Sequence, residues 1–165
     1  MHTFLTVKTN ALRRYPDNHY TLTSASNGNA LCDACATSSE CPMRNERKRC
    51  DQFVPVLRFA VNANLDLPLY NTIRIGKAWS DRLPVGTRVG VWDDVKRELS
   101  FSVVRENYWG QDKQLMLAAH AGRNHIGMTL DNPADDLAGV LANCYGKGFY
   151  AKSFGLSVLY LSPAV

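Results

Sequence analysis

Residues 70–104 read YNTIRIGKAWSDRLPVGTRVGVWDDVKRELSFSVV, and three strand signals lie inside this stretch. NTIRI (71–75) is rich in β-branched residues and follows a break at Pro68, so it predicts a short strand. Pro84, Val85 and Gly86 make a turn, and residues 87–92 read as a second strand. The polar run 93–97 (DDVKR) predicts a hairpin connection, after which Leu99, Phe101 and Val103 alternate along a returning strand. Outward from this centre, VPVLRFAVN (54–62) predicts a strand upstream, and TFLTVK (3–8) another near the start. Downstream, residues 110–124 (GQDKQLMLAAHAGRN) predict a helix with Leu115, Ala118 and Ala119 on its apolar face and Gly122 near its end. A second helix is capped by Asn132 and opened by Pro133, carries Leu137, Val140, Leu141 and Cys144 as its stripe, and stops at Gly146 and Gly148. LSVLYLS (156–162) closes the chain as a strand. Strands, hairpin, two helices and a final strand predict an α+β fold, a small mixed β-barrel with flanking helices.

The chain has 165 residues, 45% of them hydrophobic and 21% charged, the balance of a folded protein rather than a disordered one. No apolar run approaches the ~18 residues a membrane span needs, so no membrane partner is expected. The opening MHTFLTVKTNALRRYP has no apolar stretch behind a basic cap, and a cytoplasmic location is the expectation. The formal charge of +4 is compatible with a polyanionic partner without requiring one.

Four of the five cysteines, Cys32, Cys35, Cys41 and Cys50, fall in CDACATSSECPMRNERKRC, while Cys144 stands far away. Without an export signal, a cluster this tight reads as a metal site before a disulfide framework. Four thiolates can close a tetrahedral zinc site that staples a loop too polar to fold alone. An iron–sulfur cluster is the alternative: the first three cysteines are similar in spacing to ligands of endonuclease-III-like glycosylases. Polar residues 13–30 lead into this segment, so residues 1–53 are expected to form a metal-stapled N-terminal extension and residues 54–165 the barrel domain. His19 is a spare ligand in the extension. Between the last two cysteines, Arg44, Arg47, Lys48 and Arg49 outweigh Glu46, and a stapled loop of this charge could lay cations on phosphate.

YNTIRIGKAWSDRLPVGTRVGV (70–91) resembles the ASCH domain, a PUA-like β-barrel family associated with RNA and with modified nucleosides. Thr72, Ile73 and Arg74 match the family's strand motif, and Gly86 with Val89 and Val91 matches its turn and following strand. The resemblance spans residues 53–162 and leaves the cysteine segment outside. It implies an RNA- or modified-base-binding module. Arg74 and Lys77 would supply cations, Trp79 a stacking ring, and Arg82 and Arg88 further charge, with Tyr108 and Trp109 at the mouth of the cleft. The partner is then RNA or a modified nucleoside or nucleotide, with DNA as the alternative. Family members that hydrolyse acetylcytidine use a lysine before the strand, its threonine, and a glutamate in the first helix. Here the threonine is Thr72, Leu69 stands at the lysine, and Asn124, His125 and Ile126 stand where the glutamate is expected. The enzymatic alternative is a hydrolase of modified nucleosides, or a nuclease, using Thr72, Lys77 and His120 or His125. His120 and Arg123 are an acid–base group and a phosphate-seeking group close in sequence, and near a helix end they also read as simple surface residues. A barrel surface that only docks another protein is the remaining possibility, and Cys144 is expected to pack as a small hydrophobe.

Overall fold

The computed structural model describes residues 54–60 and 64–164. The strand predicted at 3–8, all four clustered cysteines, His19 and the basic residues Arg44, Arg47, Lys48 and Arg49 lie outside them. The fold is mixed α+β, and its strands are hydrogen-bonded in the order β1-β3-β4-β5-β2, with β1 at Val56–Phe59, β2 at Tyr70–Ile75, β3 at Arg88–Asp93, β4 at Glu98–Gly110 and β5 at Leu156–Pro163. By compactness the described chain divides into two units, residues 54–60 with 88–102 and residues 64–87 with 103–164, and β4 contributes to both.

In the first unit β1 runs parallel to β3, Val56 opposite Gly90 and Phe59 opposite Asp93. Val56, Leu57, Phe59, Val89 and Val91 are all buried, which is why this apolar β-branched stretch becomes sheet. The predicted hairpin forms. Asp93 accepts the Val95 and Lys96 amides through Oδ1, and Arg97 takes up φ +58, the left-handed conformation that closes the turn before β4. Asp94 binds Arg58 and the Trp92 indole.

The second unit is organised by the antiparallel pair β2–β5, from Tyr70 opposite Leu161 to Ile75 opposite Leu156. Alternation along a strand sends neighbours to opposite faces. One face carries Ile73, Ile75, Leu156, Val158 and Tyr160, which form a core with Leu117, Ala121, Leu137 and Leu141 of the helices. Tyr70, Thr72, Arg74, Ser157 and Leu159 lie on the other. A short helix not anticipated from sequence, α1 (Ala78–Arg82), buries Trp79 and Arg82. Asn107 of β4 ties it down, receiving the Ser80 hydroxyl and donating to the Ser80 and Leu83 carbonyls.

Helix α2 (Lys113–His120) begins at Asp112, whose Oδ1 accepts the Gln114 and Leu115 amides. Its buried side chain is Leu117, continued by Ala121 in a following 3-10 turn, whereas Leu115, Ala118 and Ala119 face outward, with Leu115 68% exposed. The expected apolar face is therefore corrected: Leu117 and Ala121 pack into the core with Met116 partly buried against it, so contact with the sheet and the neighbouring helix, not the local pattern, set the phase. Helix α3 (Pro133–Tyr145) starts at Pro133 as expected, but Asn132 makes no side-chain cap. Instead the Asp136 carboxylate accepts the Asn132 amide. Leu137 and Leu141 are buried, and Cys144, although it continues their row one turn on, is exposed rather than packed, because it stands in the last turn of α3, beyond the buried part of the row. Gly146, at φ +92, ends α3, yet the chain re-enters helix at once as α4 (Lys147–Lys152) instead of stopping through Gly148.

Candidate functional site

The predicted site residues sort onto two faces of the β2–β5 pair. Thr72 is 2% exposed and accepts the Arg74 Nε–H at 3.0 Å, and the Arg74 guanidinium lies 5.3 Å from the Trp79 ring centre. Trp79 is itself 5% exposed, so it packs as core beneath Arg74 and offers no open face for a base. Lys77 is on the surface and pairs with Asp81 one helical turn on, at 3.8 Å. His120 belongs to the opposite face. Its Nδ1 is 3.0 Å from the Tyr160 hydroxyl, and Tyr160 stands across from Asn71, the neighbour of Thr72 that points the other way. Thr72, Lys77 and His120 are thus not brought together as one catalytic set, because strand alternation separates the first from the last.

What does converge is a group around His120. The Tyr108 ring, from the end of β4, leans on the imidazole with centres 4.8 Å apart and a 33° tilt. Tyr160 meets both rings edge-on, at 6.0 Å from Tyr108 and 5.8 Å from His120. The Arg123 guanidinium sits 5.8 Å from the Tyr160 ring centre and its residue is exposed. Glu106, two residues before Tyr108 on the same strand face, accepts the Tyr108 hydroxyl at 2.7 Å.

Local structure explains why these groups hold still. His120 ends α2, and its carbonyl accepts the Asn71 side-chain amide at 2.9 Å. Asn71 is fully buried and is in turn held by Asn124, which donates to the Asn71 backbone and side-chain oxygens. Asn124 Oδ1 accepts the Ile126 amide, and the His125 amide donates to the Asn71 carbonyl, so the whole turn after α2 is stitched to β2. Within that turn His125 is buried, edge-on to Tyr70 at 6.4 Å, and so is part of the interior rather than of the exposed group. Partial burial moves the His120 pKa below its ordinary 6.5 despite the opposing pull of the Glu106 carboxylate, so its imidazole is neutral near pH 7. The hydrogen bond to Glu106, joined by its charge, raises the Tyr108 pKa and keeps that phenol protonated.

The arrangement offers an exposed aromatic edge (Tyr108 is 42% exposed), a neutral imidazole and a cation on one surface. Tyr160, Glu106 and Asn71 escaped sequence reasoning. Tyr160 looked like one more apolar position of LSVLYLS, and Glu106 and Asn71 belong to no motif. A polar-tipped residue amid a buried strand was the available signal, since a buried tyrosine hydroxyl needs a partner. Among the described residues no group of three or more His, Cys, Asp or Glu could hold a metal ion, and no helix is long and apolar enough to cross a membrane. Comparison with protein families, with curated proteins and with solved structures finds no match to this chain.

Proposed function

We propose that this chain is an ASCH-type, PUA-like barrel domain of the cytoplasm that binds single-stranded RNA, and that Tyr108, His120 and Arg123 form its recognition surface. One observation carries the reading: a solvent-facing tyrosine braced by a histidine whose backbone a buried asparagine pair holds, with an arginine beside them. Single-stranded bases stack on Tyr and His rings, and Arg takes the phosphate. The mixed α+β fold and the Thr72–Arg74 contact in the TIR strand support the family resemblance. Arg74 and Lys77 stay in this proposal as peripheral cations, and Trp79 as a structural support for Arg74. The hydrolase that joins Thr72, Lys77 and His120 gains no support, since these residues are separated and Leu69 stands at the lysine position.

Fluorescence anisotropy with a labelled single-stranded oligoribonucleotide tests the reading. Affinity should fall as salt rises, and Tyr108→Ala should cost about 1–3 kcal/mol, the worth of one stacked base. Binding that Tyr108→Ala leaves unchanged, or that ignores salt, would refute it. We propose also that Cys32, Cys35, Cys41 and Cys50 bind zinc, with iron–sulfur as the alternative. Elemental analysis should find metal in the wild type and less of it in Cys35→Ser, whereas equal content in both would exclude the site.

A further inference from the structure

Helix α4 and the turn after it carry an apolar surface that the described fold leaves uncovered. None of the α4 residues is buried, and Phe149 and Phe154 are 56% and 69% exposed. Keeping two such rings in water costs stability, and exposed apolar surface of this kind marks a place where something docks. Both rings are fixed by what lies behind them. Tyr145 stacks on Phe149, with ring centres 6.3 Å apart and planes 17° from parallel. Tyr150 packs partly into the core, and Lys113 donates to the Tyr150 and Ser153 carbonyls. Next to Phe154, Gly155 is buried at φ +71, where a Cβ would run into the Trp109 ring and the Gly110 carbonyl. The backbones of the two phenylalanines are about 12 Å apart at most. A surface held in this way needs little ordering when a partner arrives.

The charge around these rings is of one sign. Lys147 and Lys152 are exposed on the same segment, and no Asp or Glu occurs from residue 137 to residue 165. Asp112, beside Lys113, has its carboxylate engaged as the cap of α2. A second copy docking here about a two-fold axis would set lysines against lysines, which opposes self-association. RNA is matched less well. The segment offers two lysines and no arginine for phosphates, and Tyr145 already occupies one face of the Phe149 ring. We propose that Phe149 and Phe154, with Lys147 and Lys152, dock an acidic peptide segment of a partner protein. Aromatic or aliphatic side chains of the peptide cover the two rings, and its carboxylates face the two lysines. The rings anchor the peptide, while the lysines speed encounter and reject basic sequences. This surface shares no residue with the Tyr108, His120 and Arg123 group and does not depend on RNA binding there.

The experiment selects a library of random short peptides on full-length protein and measures the enriched peptides, once synthesised, by fluorescence anisotropy. The expected result is enrichment of sequences that place Asp or Glu beside Leu, Phe, Tyr or Trp, with affinity falling as salt rises. Phe149→Ser combined with Phe154→Ser should weaken these peptides about 30-fold or more. Should that variant fail to fold, Lys147→Glu combined with Lys152→Glu must weaken them about ten-fold or more. A labelled single-stranded oligoribonucleotide and vesicles of phosphatidylserine with phosphatidylcholine are measured alongside. Either one binding the wild type and losing that binding in the phenylalanine variant would assign the surface to RNA or to a membrane and overturn the proposal. No enrichment, enriched peptides without acidic residues, or peptides that bind the folded variants as tightly as the wild type would overturn it as well.

Discussion

His120 shows how one residue's surroundings set what it can do. The same imidazole on an open helix end would titrate near 6.5, whereas here partial burial favours the neutral form. The linkage follows in sign. A histidine whose folded pKa is depressed binds protons less well folded than unfolded, so stability declines as pH falls through about 6.5 and levels off below the folded value. Melting temperatures recorded from pH 8 down to pH 5 should therefore drop less steeply in His120→Gln than in the wild type. Identical profiles would show that His120 is not desolvated. The sequence made His120 and Arg123 visible as candidates through residue type alone. It could not show Tyr160, Asn71 and Asn124 as their supports, because those contacts join positions 40, 49 and 53 residues apart.

At the scale of elements, strands were the more legible part. NTIRI, the DDVKR turn and LSVLYLS each combine β-branched or aromatic residues with clear punctuation, and local chemistry and tertiary packing agree there. The helices were harder, since their phase and ends depend on what lies beneath. Helix α2 offers two overlapping apolar rows, and the core selected Leu117. Helix α4, six residues long with Gly146 before it and Gly148 inside it, is too short to persist by propensity, and it is held from outside. Lys113 of α2 donates Nζ to the Tyr150, Ala151 and Ser153 carbonyls at its C-terminal end and lies 4.6 Å from the Tyr150 ring centre. A cation there satisfies orphan carbonyls and opposes the helix dipole. Lys113→Met keeps the aliphatic stem and removes the charge, so it should lower stability by about 1–2 kcal/mol in urea titration. Amide exchange should also accelerate across residues 147–153. Unchanged exchange in that segment would mean α4 does not depend on Lys113.

For the molecule as a whole, the α+β class and the strand-rich centre followed from alternation and turn chemistry, while the parallel pairing of β1 with β3 and the two-faced β2–β5 pair did not. Pairing direction and face assignment are decided by which apolar rows bury together, a long-range matter that no local pattern encodes. That distinction carries the functional account, because it parts Thr72 from His120 and moves attention to the surface of Tyr108, His120 and Arg123. The most direct test is to titrate isotope-labelled full-length protein with a single-stranded oligoribonucleotide and follow backbone and imidazole resonances. The account predicts the largest shifts at Tyr108, His120 and Arg123, lost in Tyr108→Ala. Shifts gathered instead at Thr72, Arg74 and Lys77, or no shifts at all, would contradict it.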